Sequence, residues 1–445
     1  MHGSQLGSRL RDILRPGRGA GGERPSGEAA RADPREIGGT LASAAASALG
    51  GDIVETDAGP CVHVGCTYAP DYRHGRLRLG DCVADLQAGA SRLTWLVGGA
   101  PEKPAHADAA LLFVDLETTG LAGGAGTYAF LVGCASSDGE TLRVDQYFML
   151  GHALERALLA AVREPIAASG ALVTYNGKSF DVPVLETRFL YHRQTPPCGG
   201  RPHVDLLHAA RRLWRGAHGV VAAPGTQGDS CALTAMEQAL FGFRRHGDVP
   251  GFEIPGRFFA FLRSADARPL APVLEHNRLD LISLAALTAR LARLVGESPD
   301  RVDDARECYG VGRLLEQRGE ESEAWFARAA ALADRSWHGE DELVRVQALR
   351  ALALHCRRAA RYREAAGYWE QITSIRRCPP VILREALEAL AIHHEHRSRD
   401  IDRARRYAER SRGVAPTEAG ASALEHRLAR LHRKRGTGLF SQSSS

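Results

Sequence analysis

Three stretches between residues 111 and 150 restrict the fold more than anything else in the chain: Leu111-Leu112-Phe113-Val114, Tyr128 to Ala135, and Leu142 to Leu150. Each is short and rich in apolar residues, and Gly-containing turns separate them, so the pattern predicts three strands in an antiparallel meander. A helix is expected from about Leu154 to Ala168 and a fourth strand from Ala171 to Tyr175. The next helix carries Pro183 in its first turn, where a missing N–H costs nothing. A short strand around His203 to Leu206 then leads into a mostly helical portion, interrupted by Gly- and Pro-rich stretches at Val221 to Ser230 and Gly247 to Gly256. This order predicts an α/β core, a mixed sheet flanked by helices, over residues 106–297.

A chain of 445 residues exceeds what one hydrophobic core usually organises, so further domains are expected. Residues 1–35 are rich in Gly, Arg, Pro and Glu without apolar period, a composition that cannot repay the entropy of folding, and are read as a disordered tail. Residues 36–105, with short apolar pieces such as Cys61-Val62-His63-Val64, are read as a small, partly β lead-in. Over residues 300–435 amphipathic helices follow one another, and Glu323-Ala324-Trp325-Phe326, Glu364-Ala365-Ala366-Gly367-Tyr368-Trp369 and Arg403-Ala404-Arg405-Arg406-Tyr407 recur at a period near forty. Small residues that let helices approach, with aromatics in the seams, predict an all-α domain of tetratricopeptide-like helical repeats, loosely so because the period exceeds 34. Residues 436–445 are read as a second disordered tail.

Charge and cysteine content narrow the class. The net charge of +4 is no argument for a polyanion partner, and only three of the 57 basic residues (Lys103, Lys178 and Lys434) are lysines, which points to a composition bias. Nine scattered cysteines without framework spacing fit a reducing compartment. Cys61 and Cys66 with His63 and His74 have irregular spacing for zinc, and buried thiols are the preferred reading. No apolar run approaches a membrane span and no secretory start is written, so a cytoplasmic protein without membrane contact is expected.

Four acids carry the chemical signal. Asp115 and Glu117 stand two apart at the end of an apolar strand, and the period of two puts both on one face of the sheet. Asp181 opens a helix, where an aspartate often does no more than cap free amides, but Asn176 and Lys178 make the loop before it polar and basic enough to meet a phosphate. Asp280 lies on a helix with His276 four residues earlier on the same face; the imidazole's ordinary pKa suits it to orient or deprotonate water. Hydrolysis of a phosphodiester by two cations about 3.5 to 4 Å apart needs such converging carboxylates. Each acid alone has a plainer structural explanation, and only their convergence would make a site.

Asp115-x-Glu117-Thr118-Thr119-Gly120-Leu121, Tyr175-Asn176-Gly177-Lys178-Ser179-Phe180-Asp181-x-Pro183 and His276-Asn277-x-x-Asp280-x-x-Ser283-Leu284 resemble the three exonuclease motifs of the DEDD superfamily. The YprB-like, ribonuclease H-like branch is the nearest in pattern, since Leu233-x-x-Met236-Glu237, Gly247-Asp248-Val249-Pro250-Gly251 and Ile254-Pro255 also resemble it, over roughly residues 108 to 295. The resemblance implies a ribonuclease H-like fold and a 3′ to 5′ exonuclease in which Asp115, Glu117, Asp181 and Asp280 ligate two Mg²⁺ or Mn²⁺ ions. It further implies that the backbone around Thr118 and the side chain of Leu121 touch the terminal nucleotide. His276 precedes Asp280 by four residues, where one subgroup has Tyr; the histidine subgroup has its His one residue further away, so the base role of His276 stays open. Asp205 is a weaker candidate for support.

The expected partner is nucleic acid, DNA or RNA, at single-stranded 3′ ends, with a protein partner for the repeats. Two other functions compete: a catalytically silent nucleic-acid-binding or scaffold protein acting through its repeats, and an endonuclease or resolvase on the same fold. Retention of all four acids, which repel one another without metal, counts against the silent form. The basic stretch Arg427, Arg430, Arg433, Lys434 and Arg435 is read as a solvated helix face more readily than as a phosphate contact.

Overall fold

A computed structural model describes residues 34–99, 110–120, 126–214, 231–335, 339–414 and 418–440. From Gly38 onward they belong to one compact unit. Most of the two expected tails, residues 1–33 and 441–445, lies outside the described residues.

In chain order the elements are α1 (Pro34–Leu49), β1 (Asp52–Thr56), β2 (Gly59–Tyr68), the short β3 (Arg73–His74) and β4 (Leu77–Arg78), and α2 (Leu79–Val97). Then come β5 (Leu111–Thr118), β6 (Ala129–Asp138), β7 (Thr141–Phe148), α3 (Glu155–Ala168), β8 (Ala171–Thr174), α4 (Asp181–Tyr191), β9 (His203–Asp205) and α5 (Leu206–Leu213). The short α6 (Leu233–Met236) runs into a wider helical turn at Glu237–Phe241, followed by α7 (Ile254–Ser264) and the long α8 (Ala271–Gly296). Seven strands form one mixed sheet in the order β1-β2-β7-β6-β5-β8-β9. The meander β5-β6-β7 is antiparallel, and β8 and β9 join parallel to β5, as their intervening helices require.

The expected lead-in of residues 36–105 contributes to this same sheet: β2 pairs antiparallel with β7 from Val62–Phe148 to Tyr68–Leu142, and β1 pairs with β2. Its helix α2 packs along α8, where a Cβ on Gly89 would come within 2.6 Å of the Ala292 carbonyl oxygen. Glycine at that position is what lets the two helices meet backbone to backbone.

Central strand β5 is apolar on both faces because both are covered. Leu111 and Phe113 point into a core shared with α2, α5 and α8, whereas Leu112, Val114 and Leu116 point into another made by α3, α4 and α7. Asp115 and Glu117 continue the first series, so alternation directs them toward α8.

Beyond the core, α9 (Ala305–Gln317), α10 (Glu323–Arg335), α11 (Gly339–Arg358), α12 (Tyr362–Ser374), α13 (Pro380–His396), α14 (Ile401–Arg412) and α15 (Glu418–Phe440) each pack on the next. The three recurring stretches fall in α10, α12 and α14, with Trp325, Phe326 and Trp369 buried in the seams. The array starts on the α/β core: Trp214 Nε1 donates to Glu307 at 2.8 Å, and the Arg290 guanidinium pairs with the same carboxylate. At the far end Arg430 and Lys434 bond the buried Glu395 at 2.7 and 2.9 Å, so these two basic residues hold α15 to α13. Helix α15 also continues through residues 436–440, which were expected as tail.

No helix among the described residues is long and apolar enough to cross a membrane. Cys61 faces the Phe148 carbonyl, burial pushes its thiol up to about 12, and His63 is bonded to Asp145 at 2.7 Å, which leaves the four-residue zinc reading without support.

Candidate active site

The site lies where β5 outruns its parallel neighbour. β8 pairs with β5 only as far as Phe113–Val173, and the chain then turns away through Tyr175–Phe180 into α4. Past that point the Leu116 amide has no strand partner on this side and is taken by the Asp181 carboxylate, which also accepts from its own amide. Asp181 is therefore tied to β5 itself as well as to the first turn of α4, more than the local cap that its position suggested.

The loop before it is shaped from below by Asp205. This carboxylate, at the end of β9, accepts the amides of Asn176 (2.8 Å), Lys178 (3.0 Å) and Leu207 (3.1 Å), so it braces the loop and caps α5 together. Asn176 sits in the left-handed region at φ 69°, and a Cβ on Gly177 would collide with Thr174 at 2.4 Å. The side chains of Asn176 and Lys178 are both exposed beside Asp181.

Helix α8 brings the third element. Asn277 donates through Nδ2 to Asp115 Oδ2 at 2.8 Å and to the Asp115 carbonyl at 3.2 Å, while its own Oδ1 accepts from Gln146 Nε2 at 2.8 Å. Gly133, paired with Asp115 across β5 and β6, makes this approach possible, because a Cβ there would lie 2.2 Å from Asn277 Oδ1. One turn along, Asp280 and His276 share the face expected of them, with His276 Nε2 at 3.6 Å from Asp280 Oδ2.

Four carboxylates from three elements thus lie within electrostatic reach of one another. Burial first, then the charges of Asp280, Glu117 and Asp181, hold the Asp115 carboxyl well above the usual carboxylate range. Glu117 is raised for the same reasons, burial first and then Asp280, Asp181 and Asp248. Asp181 is pushed up to about 7, mainly by burial with help from Asp205 and Asp280, against the two backbone hydrogen bonds. The cluster is short of positive charge. Among the described residues, however, no three His, Cys, Asp or Glu side chains are gathered tightly enough to hold one metal ion as they stand.

One cation in the site is protein. Arg245, with 4% of its side chain exposed, bonds both Glu237 and Asp280 through Nη2, donates to Glu237 again through Nε at 3.0 Å, and reaches Asp248 at 3.3 Å. Burial disfavours the guanidinium charge, but these carboxylates outweigh it and raise its pKa above the ordinary value. Asp248 in turn bonds His276 Nδ1 at 2.7 Å, which leaves Nε2 as the nitrogen that faces Asp280. Burial raises Asp248, yet the His276 hydrogen bond and the Arg245 guanidinium bring it below its ordinary value.

Arg245, Glu237, Gln146 and the Asp248–His276 contact were not among the expected site residues. Glu237 and Asp248 lie in stretches noted only for their resemblance, and Arg245 is masked by a composition in which arginine is common. Thr118 is buried and its hydroxyl donates to the Gly120 carbonyl at 2.8 Å, closing the turn after β5. Leu121 lies outside the described residues.

Residues 112–292 match the model of the RNase_H superfamily. YprB of Bacillus subtilis (strain 168) is 31% identical over 329 residues, which span 73% of this chain and 75% of that protein. Among solved structures, the family B DNA polymerase of the hyperthermophilic archaeon Pyrobaculum calidifontis aligns with a TM-score of 0.34 at 14% identity, over 56% of this chain and 30% of the polymerase. A likeness of that size carries no argument about function.

Proposed function

The chain belongs to the YprB family and carries an RNase H superfamily domain, and from that premise we propose that it is a metal-dependent nuclease that hydrolyses phosphodiester bonds as a 3′ to 5′ exonuclease. The observation that carries this reading is the raised, mutually repelling set Asp115, Glu117 and Asp181 beside Asp280. Such a set consists only of hard oxygen donors and has a single protein cation, Arg245 on Asp280, to offset it, which fits Mg²⁺ or Mn²⁺ and not a soft metal. Asp115, Glu117, Asp181 and Asp280 are the residues that would hold two such ions. When bound, these ions activate water and stabilise charge on the scissile phosphate.

The chain's own residues have distinct tasks. Asn277 fixes one oxygen of Asp115, and Arg245 fixes one oxygen of Asp280, so each carboxylate keeps its other oxygen for a cation. His276, held through Nδ1 by Asp248, presents Nε2 to orient the attacking water. Asn176 and Lys178, displayed by the Asp205 brace, meet the phosphates, and the backbone at Thr118 meets the terminal nucleotide. The substrate is single-stranded DNA or RNA ending in a free 3′ hydroxyl, in the compartment expected from the sequence, the cytoplasm.

The test incubates the protein and its Asp115→Asn variant with DNA and RNA oligomers carrying free or blocked 3′ ends, in Mg²⁺, Mn²⁺ or EDTA. Shortening of free-ended oligomers alone, dependent on metal and absent in the variant, is expected. Internal cuts would assign an endonuclease. The Arg245 contact with Asp280 favours a second reading, a silent nucleic-acid-binding scaffold whose acid is already neutralised; binding without product in every condition would establish it.

A further inference from the structure

Between α12 and α13 the helical array opens a groove of about 360 Å³ that has no part in the site above. Its floor is made by Ala365, Ala366, Ala389 and Trp369, and Ile392, 44% exposed, forms one wall. Arg357 from the end of α11 and Arg397 from the end of α13 stand at its rim, and none of its ten lining residues is acidic. The groove continues into a second depression along the turn after α11, where Arg361 and Arg363 face it. The one carboxylate there, Glu364, is paired with Arg361.

We infer that this groove binds a short acidic segment of a partner protein, an aliphatic side chain seated on the alanine floor and carboxylates meeting Arg357 and Arg397. Charge selects the sign of the ligand: an apolar trough rimmed by cations without an acid of its own favours an anionic occupant. The aromatic groups select its class. Nucleobases need an open ring face for stacking. Trp369 is only 3% exposed, and the Arg397 guanidinium already covers the Tyr362 ring at 3.9 Å from its centroid. What the floor offers instead is the methyl groups of Ala365, Ala366 and Ala389 beside the buried Trp369, which suit Leu, Ile or Val. The inference does not depend on the nuclease reading.

An array of fluorescein-labelled decapeptides tests it, each with a central Leu, Ile, Val or Ser flanked by Asp/Glu, Asn/Gln or Lys, with a ten-nucleotide oligo(dT) beside them. Anisotropy is read with the full chain and with the exposed-residue variants Arg357→Glu, Arg397→Glu and Ile392→Glu; circular dichroism confirms folding, and Arg399→Glu, outside the groove, serves as the control. Acidic peptides with an aliphatic centre should bind, and each groove variant should weaken them about tenfold. The Ser-centred and neutral series should bind less, and Arg399→Glu should not differ from wild type. Absence of binding by every acidic aliphatic peptide overturns the inference. So does equal binding by the groove variants, or oligo(dT) binding with the same variant dependence.

Discussion

Replacing Arg245 by Met isolates the protein's own cation from the acids it compensates. The Glu237 side chain is 1% exposed and Arg245 4%, so the substitution leaves a carboxylate without its partner in a place that water scarcely reaches. Removing one member of a buried pair costs about 3–5 kcal/mol, and the upper half of that range is expected because Asp248 and Asp280 lose the same partner. If the cost is that of an uncompensated charge, Glu237→Gln added to Arg245→Met should recover about 2 kcal/mol, the coupling expected of groups in one network. Hydrogen exchange of peptides covering residues 274–284 in EDTA, supported by urea unfolding, reads the local free energy of α8 in the wild type, both single variants and the pair. A cost below about 1 kcal/mol for Arg245→Met, or a double variant no more stable than Arg245→Met, would refute the reasoning.

The repulsion among the acids makes opposite demands on folding and on activity: Asp115→Asn should stabilise the metal-free protein by about 1 kcal/mol or more while abolishing cleavage, as thermal melting in EDTA and the oligomer assay would report. Asp181 has a folded-state value of about 7 against an ordinary 3.8, so its contribution is fully present below about pH 4 and is lost as pH rises toward 7. Urea titrations in EDTA between pH 4.5 and 8 should show this decline, and Asp181→Asn should flatten it; an unchanged slope in the variant would contradict the assignment. Gly133→Ala should push α8 off β6, cost about 1–3 kcal/mol and weaken Mn²⁺ binding in calorimetry through loss of the Asn277–Asp115 bond. Asp205→Ala should loosen the 176–178 loop, raising its hydrogen exchange and costing about 1–2 kcal/mol from the lost cap alone.

The meander was legible because its strands carry their own signal: buried on both faces or alternating, and punctuated by glycine. Strands β1 and β2 were recognisable as β structure but not as members of the same sheet, since pairing between residues 62 and 148 leaves no trace in local periodicity. Asp115, Glu117 and Asp280 could be proposed from spacing and Asp181 from the polar loop before it, whereas the tie between Asp181 and the Leu116 amide joins residues too far apart in the chain to leave a local trace. The Arg245 clamp was the least accessible of all. It sits in an irregular segment after Phe241, has no periodicity, and is one of 57 basic residues, so only burial distinguishes it.

The placement of β2 bears on how the enzyme-like portion can be handled in isolation. A fragment begun at residue 106, or at 112 where the family match starts, would discard the neighbour of β7 and leave its hydrogen-bonding groups from Leu142 to Phe148 uncovered. A bare strand of that length invites pairing between copies. Such a fragment would also lose α2 and expose the alanine-lined flank of α8, so insolubility of a trimmed product would reflect where the scissors fell and not a defect of the four acids.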